Sequence, residues 1–293
     1  LKEKIKVIIS CALILVCLPY LITYFFQGEK TSAATEKSEE SQEIAGILAE
    51  QVPVNMKEEV LKAQAVMVRT QLAYCEKNNQ EKPKALSKEE MEQLWGQKNY
   101  YEFYEKLIRA AEETEGQVIT FQGEVINPAF HKVSAGYTRD GSTVYKNTPY
   151  LLSVKSEADI LSEDYLKVQF FTSKEFMERQ SYLIPASGIE EKPVGDIVKS
   201  IELQRDGAEY VTAMKINGTE VDVDAFLETF ELPSANFFIK EMDDKVRIVT
   251  KGCGHGYGLS QYGANEMAKK EKTYEEILKY YFSGIKIEKT GKH

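Results

Sequence analysis

Hydrophobic and polar positions divide this chain into stretches of different texture. Lys2, Lys4 and Lys6 precede an uncharged run, Val7 to Phe26, that is apolar on every side. About 20 apolar residues suffice to cross a bilayer as a helix, whereas a soluble surface helix of that length would keep a polar face. The run therefore predicts a transmembrane segment. Lysines stand before it and the acidic stretch Glu36 to Glu43 after it, which places the N-terminus in the cytoplasm and the remainder outside. A cleaved signal peptide is the competing reading, with Ser32-Ala33-Ala34 as its small-residue site, but the run is longer than a usual signal core. Residues 1–27 are thus expected to be a cytoplasmic tip and anchor, 28–45 a polar flexible stalk, and 46–288 a folded extracytoplasmic domain.

Within that domain the period of the apolar positions changes near Gly116. Before it the spacing is helical. Asn55-Met56-Lys57-Glu58 has the spacing of a capping box and predicts a helix from Met56 to about Cys75. Ser87-Lys88-Glu89-Glu90 repeats the signal ahead of Met91, Leu94, Trp95, Tyr101, Tyr104, Leu107 and Ile108, with a break at Gly96. After Gly116 short β-type runs take over: VITFQG, EVINPAFHKVS, VKSIELQ, FFIKEM and KVRIVTKG. YVTAMKI and TEVDV flank Asn217-Gly218, a pair suited to a type I′ turn, and predict a hairpin. Short helices are expected over Asp224 to Phe230, about Ser260 to Lys270, and Tyr274 to Phe282. The fold class is α+β, with helical motif elements packed on a β-rich body around a groove between the Glu59 helix and the loops carrying His131 and His255.

Charge and cysteine content narrow the function. A net charge of −9 without a basic stripe argues against nucleic acid. Cys11 and Cys17 fall inside the apolar run, so Cys75 and Cys253 are the thiols outside it and form no disulfide framework.

Three constellations carry candidate chemistry. On the first predicted helix, Glu59, Ala63, Val66 and Thr70 share a face, with Lys62 and Arg69 along its edge. A carboxylic acid delivers a proton at neutral pH if its pKa is raised, which an apolar surround would do, while the positive end of the helix dipole favours its anion. The plain alternative is a first-turn acid that stabilises the helix. His131, in PAFHKVSAGY, is the second candidate, set against a core-satisfied histidine. The third is Cys253 to Gly263, where four glycines let backbone approach a ligand and His255, Ser260, Gln261 and Tyr262 offer hydrogen bonds; a structural turn into a helix is the alternative. Zinc on Cys253, His255 and His131 is disfavoured, because C-x-H is an uncommon spacing and no fourth ligand is apparent.

These residues together resemble the stage II sporulation protein D family, over about Gln51 to Glu288. Three places carry the resemblance: VPVNMKEEVLKAQAVMVRT, HKVSAGYT, and GHGYGLSQYGANEMAKKEKTYEEILKYYFSGIKI. It implies a membrane-anchored lytic transglycosylase that acts during forespore engulfment on glycan strands stripped of stem peptides by a partner amidase; separately, no cofactor is expected from the residues. A further membrane protein of the engulfment complex is an implied partner. Glu59, before V-L-K-A-Q, falls on the family's acid/base. Lys62, Gln64 and Arg69 in the first block, His131, Ser134 and Tyr137 in the second, and His255, Gln261 and Tyr262 in the third fall on motif positions and are carried over as substrate contacts.

The implied reaction has Glu59 protonate the oxygen between N-acetylmuramic acid and N-acetylglucosamine, then take the proton of the muramoyl O6 hydroxyl as a 1,6-anhydro ring closes. One carboxylate suffices, whereas ordinary hydrolysis uses two. Gln71, Ala135 and the lack of an arginine near Glu228 depart from the family pattern. A non-catalytic glycan-binding scaffold is the alternative function.

Overall fold

The computed structural model describes residues 39–142, 148–184, 193–243 and 245–289. The expected transmembrane run, Val7 to Phe26, lies outside them, and no helix among the described residues is long and apolar enough to cross a membrane.

The first helix, α1, covers residues 39–51. Its start corrects the stalk boundary, because Ile44, Ala45, Ile47 and Leu48 are fully buried. The helical period i, i+3, i+4 that these four residues make was masked by the acidic residues around them. α2 (Glu58–Lys77) follows, then α3 (Lys88–Trp95) and α4 (Gln97–Glu113). Gly96, at φ 75°, separates α3 from α4 at the expected break. Ser87 and Glu90 close the expected capping box on α3. Asn55 does not cap α2. The N-cap is Lys57, which has no capping side-chain bond; its N–H instead donates to Asn265 Oδ1 at 2.9 Å.

α2 is apolar on two sides because it separates two cores. Leu61, Ala65 and Val68 pack with α1, Met91, Leu107 and Ala110. Val60, Ala63, Val66 and Met67 pack the other way, against Ile119, Leu259, Ala264 and Ile277. That second core is walled by β1 (Gln117–Phe121), paired antiparallel with β2 (Glu124–Val125) and with β11 (Lys286–Lys289). It also holds β3 (Phe130–His131) and β10 (Leu259–Ser260), which pair in parallel, and the helices α8 (Gln261–Lys269) and α9 (Tyr274–Tyr281).

The β-rich body supplies a third core. β4 (Leu166–Thr172), β9 (Lys245–Lys251) and β8 (Phe237–Met242) form one antiparallel sheet in the order β4-β9-β8. β5 (Glu202–Arg205), β6 (Val211–Ile216) and β7 (Thr219–Val221) form another, with the β6–β7 turn at Asn217 and Gly218, both at positive φ as a type I′ turn requires. Three helices, α5 (Ser173–Ser181), α6 (Val194–Lys199) and α7 (Val223–Phe230), complete this part. Phe171, Phe176, Phe226, Phe230 and Phe237 fill its centre. The run VKSIELQ is not one strand: α6 takes its first residues and β5 begins at Glu202. Pro193 at the N-cap and Asp196 in the first turn give that segment a helix start.

Candidate active site

Glu59 sits where the N-termini of two helices meet. It is the second residue of α2, and its Oε2 accepts the backbone N–H of Tyr274, first residue of α9, at 2.7 Å. A helix leaves its first N–H groups without intrahelical partners, so a carboxylate there satisfies a donor that would otherwise need water. Oε1 accepts from Lys62 Nζ at 3.1 Å. Lys62 also pairs with Glu113, at the end of α4, at 2.6 Å and with Glu58 at 3.7 Å. Burial works to lower the Lys62 pKa, but hydrogen bonds to Glu113 and Glu59 outweigh it and hold the ammonium charged, well above its ordinary range. The apolar surround expected for Glu59 is therefore absent. Its immediate neighbours are a cation and a backbone donor, and the stripe Ala63, Val66 and Thr70 is closed off beneath β1. The side chain keeps 30% of its surface, so the acid is reachable.

Four of the expected substrate contacts are committed to the fold instead. Arg69 is buried and caps α4: Nη1 donates to Thr114 O at 2.7 Å, Nη2 to Ala111 O at 2.9 Å, and Nε to Glu40 at 2.6 Å. Gln64 is buried and donates to Gln51 Oε1 at 3.3 Å. Ser134 is fully buried, its Oγ accepting from Gly136 N at 3.1 Å. Gln261, also buried, donates to the Gln51 carbonyl at 2.7 Å and ties α8 to the end of α1.

The second and third sequence blocks lie side by side through β3 and β10. Cys253 exchanges backbone hydrogen bonds with Val133, and the Tyr262 N–H donates to Lys132 O at 3.1 Å. The glycines are needed because the strands crowd them. A Cβ on Gly258, at φ 70°, would stand 2.0 Å from Ala129 O, and one on Gly256 would stand 2.6 Å from the Tyr210 ring. His131 is buried, with Nδ1 donating to Tyr257 O at 3.0 Å. Burial is the main reason its pKa falls to about 3; the hydrogen bond to Tyr257 opposes the fall and His255 adds to it. Its Nε2 has no hydrogen-bond partner. His255 lies on the exposed side of the loop, its ring 5.9 Å from that of His131. Its Nδ1 accepts from Tyr257 N at 3.0 Å. Burial of the ring lowers its pKa, opposed by a hydrogen bond to the Phe130 backbone. Tyr137 is exposed and Tyr262 half-buried. Burial raises the pKa of the half-buried Cys253 thiol. Among the described residues no group of three His, Cys, Asp or Glu side chains is placed to hold a metal ion.

Asp159 was not legible as a site residue. It is fully buried, and its Oδ2 accepts from Ser134 N at 2.7 Å. Ser156, which starts the same turn, bonds Tyr281 at 3.0 Å. Burial raises the Asp159 pKa against hydrogen bonds from Ser134, Ser260 and Ser156. This knot joins the second block, the third block and α9, so that Ser134 and Ser260 position loops. Tyr274, which bonds Glu59, Glu113, which pairs with Lys62, and Asn265, which accepts the Lys57 N–H at the start of α2, were also missed. They come from three other elements, and no local spacing announces the contact.

Two cavities stand out, and Glu59 lines neither. One, of about 840 Å³, is bounded by Tyr74, Phe121, Tyr150, His255 and Tyr257. The other, of about 760 Å³, runs along β5, β6 and β7 and also reaches Tyr257. Tyr74 stands fifteen positions beyond Glu59 on α2, about 22 Å along the axis.

Residues 29–121 match the family model described as stage II sporulation protein. The chain is 33% identical over 259 residues to stage II sporulation protein D of Bacillus subtilis (strain 168), covering 83% of this chain and 73% of that protein. It is 32% identical to stage II sporulation protein D of Bacillus amyloliquefaciens, over 83% and 72% of the two chains. A more distant similarity, 24% identity over 83% of this chain and 40% of the relative, is to the amidase enhancer of Bacillus subtilis (strain 168).

Proposed function

The chain belongs to the stage II sporulation protein D family, whose role is in sporulation, and from that membership we propose that it is a lytic transglycosylase of peptide-stripped peptidoglycan strands. The observation that supports this reading is the setting of Glu59, at the position the family resemblance gives to the acid/base. Its Oε2 is held by the Tyr274 N–H, while Oε1 accepts from the Lys62 ammonium, and the side chain retains access to solvent. Oε1 is then the oxygen that exchanges a proton. In the first step it protonates the glycosidic oxygen as the bond to muramoyl C1 breaks. Lys62, left beside the new carboxylate, balances its charge. The carboxylate next takes the proton from the muramoyl O6 hydroxyl, and O6 closes on C1 as a 1,6-anhydro ring, so no water is consumed.

The reading includes anchoring through Val7 to Phe26, with the described domain outside the membrane, and action beside an amidase that strips the stem peptides. The name of the distant relative, amidase enhancer, fits such a pairing.

A non-catalytic glycan-binding scaffold is the second reading. It is favoured by one fact: both oxygens of Glu59 already have partners, as in a purely structural helix cap. Mass spectrometry of amidase-treated peptidoglycan incubated with the full chain separates the two. Anhydro-ended fragments from wild type and none from Glu59→Gln support the transglycosylase. Reducing ends would mean hydrolysis, equal release by both would remove Glu59 from the reaction, and absence of products with retained binding would favour the scaffold.

A further inference from the structure

A cavity lies at the far end of α2. Its volume of about 840 Å³ is in the range of small-molecule sites. Four aromatic rings, from Tyr74, Phe121, Tyr150 and Tyr257, contribute to its wall. The polar groups beside them are chiefly amides: Asn127 and Gln122 are both exposed at its surface.

Charge on this wall is cancelled or absent. Lys77 is paired with Glu124 at the rim. Burial of the His255 ring lowers its pKa and so disfavours the cation, and its Nδ1 is already used by the Tyr257 N–H. A phosphate or nucleotide would find no unpaired cation among these groups, and a cation would find no unpaired carboxylate. Flat apolar surfaces with amide donors and acceptors at their edges suit a pyranose ring, whose C–H face lies on an aromatic ring while its hydroxyl and acetamido groups bond at the rim.

We propose that this cavity binds an uncharged N-acetylhexosamine unit of a glycan strand, as a holding site separate from the acid at Glu59. The choice of glycan rests on the transglycosylase reading; the separation rests on the cavity lining and on the length of α2. A strand held here is gripped several sugar rings away from Glu59.

The test uses chitotetraose as the probe and the full chain carrying Glu59→Gln, so that turnover cannot interfere. Calorimetric titration should show binding, and Tyr74→Ala and Asn127→Ala should each weaken it at least tenfold. Asn127 is exposed, so its replacement keeps the fold, and a thermal melt matching the parent confirms this. Binding that is absent, or unchanged by both replacements, overturns the proposal. The two readings fail separately. Wild-type release of anhydro products with titration unaffected by Tyr74→Ala and Asn127→Ala would sink the holding site alone. Cavity-dependent binding without any cleavage by wild type would sink the transglycosylase alone.

Discussion

The carboxylate of Glu59 receives the backbone N–H of Tyr274 at 2.7 Å, across 215 positions of sequence. The candidate acid is therefore also the link that fastens the start of α9 to the start of α2. Its replacement tests chemistry and architecture together, and the choice of side chain separates them.

Glu59→Gln keeps a carbonyl oxygen for the Tyr274 N–H, whereas Glu59→Ala leaves that donor to water. Glutamine should abolish anhydro product while costing less stability than alanine. The difference should be about 1 kcal/mol, the usual worth of a helix-terminal cap. Urea denaturation of both variants measures it. Equal stabilities would mean that the Tyr274 contact contributes nothing to folding.

Arg69→Ala should act on stability rather than on ligand. It strips the carbonyls of Ala111 and Thr114 at the end of α4 of their donor and leaves Glu40 unpaired. A loss of roughly 3 kcal/mol is expected for breaking a buried charged cluster. Hydrogen exchange should quicken first at the last turn of α4. A variant of normal stability that no longer binds glycan would return Arg69 to the substrate site.

His131 should make the fold sensitive to acid. Its pKa is about 3 in the folded chain and about 6.5 when unfolded. Between those values the unfolded state binds a proton that the folded state refuses. Stability is full above about pH 6.5 and falls as pH drops toward 3, by a few kcal/mol at most. Asp159 works in the opposite sense, since its raised pKa lets the folded chain hold a proton that the unfolded chain has lost, so its contribution declines as pH rises through its folded value. His131→Asn should flatten the slope of stability between pH 4 and 6, read by denaturant midpoints at fixed pH. An unchanged slope would assign acid sensitivity elsewhere.

Gly258→Ala should prevent the pairing of β3 with β10. The new methyl would meet the Ala129 carbonyl at 2.0 Å, and the neighbour is backbone that has no rotamer to yield. The variant is expected in the insoluble fraction, whereas Gly207→Ala, with open space around it, should be recovered like wild type. Equal recovery of both would contradict the crowding.

The parts legible in the sequence are those whose signals are local. Ser87 with Glu90, Gly96, and Asn217-Gly218 each set their turn or cap with residues a few positions away, and each stands where expected. The same S/T-x-x-E spacing at Thr172 and Thr273 also makes capping boxes and went unused. β4 and β11 were missed because their partners, β9 and β1, lie far along the chain. For the candidate site, motif positions named the right neighbourhood but not the roles. Burial decides between a ligand contact and a structural bond, and nothing in K-A-Q-A-V-M-V-R says that Gln64 and Arg69 face inward to other helices.

α2 has 20 residues, about 30 Å of helix, and is gripped along its length by a separate core on each side. A rod clamped in this way has few soft modes of bending or sliding. The backbone beneath Glu59 is therefore a fixed post, and whatever meets its carboxylate must come to it.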